Sequence, residues 1–321
     1  MLLLSIALIA GLIILVISSD KFIEHSALIA EKLNVSPIVI GFTLVALGTS
    51  APEMVVSAIA AIDQVPEIAI GNVLGSNIAN IALVFGATLL LGAIPIKQGL
   101  SSREVPILLG ITVLSGLLMF DEYLGLVDGI ILIIGFCIAL YFLLRSNKNL
   151  KDELTQDLPE DDGSSISKSM VIAILGLAAL IGSSKLLVWG ATGIATLLGI
   201  DELIIGLTIV AIGTSLPELA ASITSAIKGH HDIAIGNIMG SNIFNLATVL
   251  PLPAIIAPSI LTESIMQRDF WWMLATTLAF IGLIIFFRTT KAKSIPSWAG
   301  YLLLASYLVY LITLCISTMS I

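Results

Sequence analysis

Two glutamates, Glu53 and Glu218, stand in nearly the same surroundings, GTSAPE and GTSLPE, 165 positions apart. Each is followed at the same distance by a second polar string, GNVLGSNIAN in one case and GNIMGSNIFN in the other. Residues 41–80 and 206–245 therefore match at one offset without a gap. Both glutamates lie about halfway along apolar runs. A charge at that depth in a membrane costs roughly 2.5–3.5 kcal/mol on insertion scales, and such residues face the bundle interior and carry function. A lone buried glutamate can be a protonated, hydrogen-bonded packing residue. Two in duplicated contexts point to a site.

The flanking residues suggest what the carboxylates do. Pro52 and Pro217 have no amide hydrogen, so the carbonyls of Gly48 and Gly213, four residues earlier, lose their helical donors. The residue before a proline also resists helical geometry. The GTSxPE turn is therefore expected to distort and to leave carbonyls of Ala46 to Thr49 and of Ala211 to Thr214 pointing inward, beside the hydroxyls of Thr49, Ser50, Thr214 and Ser215. In the second string Asn72, Ser76 and Asn80 are spaced by four and share one helix face, as do Asn237, Ser241 and Asn245. The GxxxG pairs Gly71/Gly75 and Gly236/Gly240 read as packing surfaces that allow close backbone approach.

All of these groups are oxygen donors. Hard cations suit them, Ca²⁺ above all, which takes 6–8 oxygens at 2.3–2.6 Å in flexible geometry. Zinc or copper would recruit His or Cys. His25, His230 and His231 fall outside both motifs, and GHHD reads as a solvated turn. Cys137 and Cys315 lie in apolar runs and read as packing residues, with no disulfide and no thiolate metal site. Two carboxylates balance one Ca²⁺, or nearly balance two to three Na⁺.

The elements that must hold these groups are membrane spans. Of the 321 residues 58% are hydrophobic and 11% charged, against about 25% charged in soluble domains; the mean hydropathy is +1.10. A span needs ~20 apolar residues, and ten such runs occur, at 2–30, 36–62, 66–92, 103–120, 125–145, 168–197, 202–227, 232–257, 269–288 and 296–318. The first and sixth are long and are expected to tilt or to overshoot the bilayer. The N-terminal run has no basic leader, and it aligns with the run from Val171 at the same offset, so it reads as a retained helix.

Residues 146–167 are charged and turn-rich and read as a cytoplasmic linker between repeats at 1–145 and 168–321. With ten spans, eleven Lys and Arg fall on one side and only Arg268 on the other. The basic side is the cytoplasm, which places both termini outside. Five spans per repeat is odd, so the second copy is inverted relative to the first. This is the plan of secondary transporters, whose sites lie at the midplane between repeats. The fold class expected is all-α, ten transmembrane helices in two inverted five-helix repeats, in an inner or plasma membrane, with the bilayer as partner and no nucleic acid. No nucleophile–base arrangement is visible, so an enzyme is not expected.

At these motifs the chain resembles the cation/calcium exchanger superfamily, whose best-known branch is the sodium/calcium exchangers. GTSAPE with GNVLGSNIAN, and GTSLPE with GNIMGSNIFN, look like its two α-repeats, and the likeness covers the whole chain. It implies a short prokaryotic-type antiporter without a regulatory domain in the linker, with no cofactor, moving Ca²⁺ and Na⁺; separately, a monomer is the expected state, though the sequence does not fix it. It implies cation ligands at Glu53, Thr49, Ser50, Ser76 and Asn80, at Glu218, Thr214, Ser215, Ser241 and Asn245, and at the carbonyls of Ala46 and Ala211. The long first and sixth runs look like the family's sliding gating helices. Some members, including potassium-dependent ones, carry Asp where this chain has Asn245, so the likeness implies K⁺-independent exchange. An H⁺/Ca²⁺ antiporter of the same superfamily is the alternative, and a cation channel or a non-transporting scaffold a more distant one.

Overall fold

The structure is a computed structural model that describes residues 1–33, 35–96, 103–145, 165–199, 211–289 and 293–319. Most of the expected linker (146–164) and the opening of the second motif with the acids before it, Asp201 and Glu202 (200–210), lie outside the described residues. In chain order the helices are α1 (Leu2–Lys32), α2 (Pro37–Thr49), α3 (Ala51–Ile62), α4 (Pro66–Leu90), α5 (Glu104–Leu118), α6 (Leu126–Arg145), α7 (Ile166–Leu197), α8 (Ala211–Thr214), α9 (Leu216–Ile227), α10 (His231–Ile256), α11 (Ile265–Thr289) and α12 (Ser297–Met319).

Among the described residues seven helices are long and apolar enough to cross a membrane, and the bent pair α2/α3 makes eight. This is a multi-pass membrane protein. The run 103–120 contains a helix of only 15 residues, about 22 Å at 1.5 Å per residue, and the run 202–227 is described only from residue 211. α1 and α7, at 31 and 32 residues, are about 46–48 Å long and exceed a ~30 Å hydrocarbon layer, as their sequences suggest.

The fold is not purely helical. Two antiparallel ribbons of two residues per strand join distant segments. β1 (Ile94–Pro95) pairs with β4 (Ser294–Ile295), and β2 (Tyr123–Leu124) pairs with β3 (Ser259–Ile260). Each ribbon ties the first half of the chain to the second.

Burial divides the helices into layers. In α4 and α10 the apolar windows are 78% and 94% buried, against 28% in α1 and α7. The motif-bearing helices thus form the centre, and α1 and α7 present leucine and isoleucine outward, as a lipid-facing surface requires. α10 lies along α2, and two glycines make this possible. A Cβ on Gly236 would collide with the Ile38 carbonyl, and one on Gly240 would stand 2.5 Å from the Phe42 oxygen and 2.6 Å from the Ala46 Cβ. Gly240→Ala must therefore push two backbones apart, a strain of about 1–3 kcal/mol. We expect a lower midpoint for loss of the monodisperse protein on heating in detergent, whereas Gly282→Ala, where no atom lies within 4 Å of an added Cβ, leaves that midpoint in place.

Candidate functional site

Both GTSxPE segments break their helices at the serine. Ser50 (φ −81°, ψ 3°) separates α2 from α3 with a 44° bend, and Ser215 (φ −88°, ψ 4°) separates α8 from α9. The proline, second residue of the new helix in each case, fits there because its missing N–H would have no partner at that position. The kink that the sequence pattern leads to also sets the surroundings of the carboxylates. Glu53 and Glu218 fall in the first turns of α3 and α9. The positive end of each half-helix therefore lies beneath an anion, a contribution of about 0.3–1 kcal/mol in exposed settings.

The expected opening of the carbonyls is only partly realised. The Ala46 carbonyl keeps a donor, the Ser50 amide at 3.0 Å, and accepts Thr49 Oγ1 at 3.4 Å. The Gly213 carbonyl accepts Ser184 Oγ at 2.8 Å. The physical reason is that a carbonyl freed by proline in an apolar interior recruits the nearest donor.

The two motifs meet across the centre. Ser50 Oγ donates to Glu218 Oε1 at 3.3 Å, and Thr49 Oγ1 donates to Asn237 Oδ1 at 3.2 Å. The Asn237 amide group donates to Ser222 Oγ at 2.9 Å and to the Glu218 carbonyl at 3.4 Å. In the first half Asn72 repeats the bond to serine, reaching Ser57 Oγ at 3.2 Å. Asn77 donates to the backbone carbonyl of its own counterpart, Asn242, at 3.2 Å. Ser57/Ser222 and Asn77/Asn242 keep the 165-residue offset, a signal by which they could have been singled out.

Thr49, Ser50, Glu53, Asn80, Ser241 and Asn245 are fully buried, Ser215 and Glu218 at 1% exposure, Ser76 at 5%; Thr214 is half-buried. Several of them have no hydrogen-bond partner in the protein: both oxygens of Glu53, Glu218 Oε2, the amide groups of Asn80 and Asn245, and the hydroxyls of Ser215 and Ser241. An orphaned buried polar group costs about 1–3 kcal/mol, more if charged, and native proteins hold few of them. Their concentration at corresponding positions of two motifs is the mark of a site whose partners come from outside the chain. At Asn80–Phe85 and Asn245–Val249 the helices widen into π-turns that begin at the two asparagines. Such turns cluster at functional sites, and nothing in the residue pattern announces them.

Two cavities approach these residues. One, of about 540 Å³, lies between α3 and α7 and reaches Thr214 past Pro52, Ser184 and Lys185. The other, of about 460 Å³, is lined by Asn72, Ser76, Thr214, Arg268, Asp269 and Tyr310. There Arg268 Nε and Nη2 donate to the two carboxylate oxygens of Asp269 at 2.7 and 3.0 Å, and the Tyr310 hydroxyl donates to the same group at 3.2 Å. Arg103–Glu104 corresponds to Arg268–Asp269 at the repeat offset. Away from the site, His230 and His231 open α10 half-buried and are not the fully solvated turn expected of them, and both cysteines are free thiols. Among the described residues no three His, Cys, Asp or Glu side chains form a metal cluster.

A family profile described as sodium/calcium exchanger protein matches residues 3–145 and 168–316. Among curated relatives, a putative antiporter, CaxA, of Alkalimonas amylolytica is 42% identical over 316 residues, covering 97% of this chain and 98% of its own. The inner membrane protein YrbG of Escherichia coli (strain K12) is 35% identical over 321 residues, with coverage of 97% and 96%. Among solved structures, the sodium/calcium exchanger from Methanococcus jannaschii superposes with a TM-score of 0.83 at 32% identity, over 97% of this chain and 98% of that one.

Proposed function

The chain belongs to the sodium/calcium exchanger family, an antiporter family and not an enzyme class, and on that premise we propose that it exchanges Ca²⁺ for Na⁺ at one site shared by both ions. The observation that carries the reading is the set of orphaned oxygens. Glu53, Asn80, Ser215, Glu218, Ser241 and Asn245 are buried polar residues of two repeated motifs with atoms that no protein group satisfies. Dehydrated hard cations are the partners that match an all-oxygen set. Thr49, Ser50, Ser76, Thr214 and the carbonyls of Ala46 and Ala211 complete the proposed ligand set. The two carboxylates supply the charge, the half-helix N-termini favour that charge, and the neutral donors replace the hydration shell. Because both ions need the glutamates, Na⁺ and Ca²⁺ exclude each other, and that exclusion couples their fluxes.

The proposed architecture is ten spans in two inverted repeats, residues 1–145 and 168–321, joined by the linker 146–167. The crossed ribbons support it, since β1 and β3 occupy corresponding positions and each pairs with a strand of the other half. The proposed location is an inner membrane, as for the YrbG relative, with both termini outside in accord with the Lys/Arg distribution. Lys228 and Asp63, which correspond at the repeat offset, then lie on opposite faces. Single cysteines at exposed Asp63 and half-buried Lys228, in a protein without Cys137 and Cys315, are expected to react with an impermeant maleimide from opposite sides of oriented vesicles. Labelling from one side refutes the inversion.

The reading itself is tested by ⁴⁵Ca²⁺ uptake into proteoliposomes of the purified protein. Uptake is expected when Na⁺ is loaded inside and diluted outside, and not with a proton gradient alone. Uptake that follows the proton gradient and ignores Na⁺ replaces this reading with H⁺/Ca²⁺ antiport.

A further inference from the structure

The residues around the two motifs correspond, but their contacts do not. On α1, Ser19 Oγ donates to the Ala220 carbonyl at 2.8 Å and meets Thr224 Oγ1 at 2.6 Å. One turn further along α9, Lys228 Nζ lies 2.8 Å from Asp20 Oδ1 and 3.5 Å from Glu24 Oε2. These contacts fasten α1 along α9. The corresponding surfaces are α7, with Ser184 and Lys185 in place of Ser19 and Asp20, and α3, with Asp63 in place of Lys228. There the fastening is open. Ser184 bonds the Gly213 carbonyl instead, and the 540 Å³ cavity separates Lys185 and Trp189 from Pro52 and Val55. Lys185 and Asp63 are both exposed, and among the described residues neither makes an ion pair.

By contrast, α1 and α7 are symmetric toward each other. A Cβ on Gly11 would lie 2.9 Å from Leu187, and one on Gly176 would lie 3.1 Å from the backbone of Phe22. Gly11 corresponds to Gly176, and Phe22 to Leu187. The α1/α7 pair is thus one tightly packed, internally two-fold unit that sits asymmetrically on the rest of the protein.

The repeat offset carries Asp20 onto Lys185 and Lys228 onto Asp63. Each charge changes sign, and the pair stays complementary. We propose that Lys185 and Asp63 form a second ion pair when α7 closes on α3, and that it alternates with Asp20–Lys228, so that two latches of reversed polarity hold the two end states of the cycle. The proposal rests on the alternating exchange proposed above. It also assigns a resting bias. Lys228 faces two acids, Asp20 and Glu24, with Lys21 also 3.0 Å from Glu24. Glu24 and Lys21 correspond to Trp189 and Leu186, so the second latch has one acid and one base. The state described here is the more strongly latched.

The test uses the full-length protein without Cys137 and Cys315, in vesicles supplied with both Na⁺ and Ca²⁺. Asp63→Cys with Lys185→Cys is expected to form a disulfide under copper–phenanthroline, to stop exchange, and to recover with reductant. Adding Lys228→Gln weakens the opposing latch and should raise the cross-linking rate about two- to thirtyfold, the range for two solvent-accessible ion pairs. No cross-link in vesicles where the double variant still exchanges, or a rate indifferent to Lys228→Gln, overturns the proposal. If the cysteine pair does not exchange, charge reversal decides. Asp63→Lys and Lys185→Asp singly slow exchange and together restore it, and a double variant no better than the singles refutes the latch. Failure of the unmutated protein to exchange counts against the proposed function instead.

Discussion

Glu53→Gln and Glu218→Gln each lower Na⁺-driven Ca²⁺ uptake by at least about 100-fold, at unchanged expression and monodispersity. Glutamine keeps the shape and one oxygen of the side chain and removes its charge. Both residues are buried, at 0% and 1% exposure, and the hydrogen-bond partner of Glu218, Ser50 Oγ, is neutral. Of the proposed ligand set, only the other glutamate is still charged when one is lost. Two unit charges 4 Å apart interact by about 4 kcal/mol at an effective dielectric constant of 20, and a divalent ion doubles that scale. Even after the cost of dehydration is set against it, losing several kcal/mol amounts to two or more decades in affinity. Na⁺ carries half the charge and loses less, so Ca²⁺ binding measured by calorimetry falls further than Na⁺ competition does. Folding is spared, because Glu53 makes no hydrogen bond in the protein to lose and glutamine at position 218 keeps an oxygen that can accept from Ser50. Ca²⁺ flux near the unmutated level in both variants would put the site elsewhere.

The second large effect is electrical. With Asn80 and Asn245 neutral, the ionised charge of the site is carried by Glu53 and Glu218 alone. One Ca²⁺ neutralises it, and three Na⁺ leave it at +1 by charge count. Exchange of three Na⁺ for one Ca²⁺, the ratio implied by the family likeness, moves one net charge per cycle, worth about 2.3 kcal/mol per 100 mV. That corresponds to about a 50-fold change in the equilibrium Ca²⁺ ratio. In Na⁺-loaded vesicles clamped with valinomycin, an interior-positive potential should therefore accelerate and deepen Ca²⁺ uptake, and an interior-negative one should oppose it. Uptake should persist in K⁺-free buffers with the potential left unclamped, and a protonophore should not abolish it. Indifference to the clamped potential rules out the three-for-one ratio, and collapse with the protonophore promotes the proton-coupled alternative.

The sequence by itself determined the class, the duplication, the family and the central glutamates. Each of these is a one-dimensional property. Mean hydropathy and the scarcity of charge decide the solvent, and a fixed offset between two strings needs no coordinates to be seen. The helix breaks were legible too, since Pro52 and Pro217 act on their own backbone. What remained hidden depends on which segments come together. Thr49 reaches Asn237 because α10 lies on α2 at glycine distance, and Asn237 reaches Ser222 because α9 packs on α10. The Gly213 carbonyl finds Ser184 through the approach of α7. The π-turns at Asn80 and Asn245 have no diagnostic residue type and are seen only in the folded helices. Two copies of one motif have the same local preferences, so residues alone cannot say which copy is fastened and which is open. Only tertiary packing chooses, here Asp20 with Lys228 and not Lys185 with Asp63.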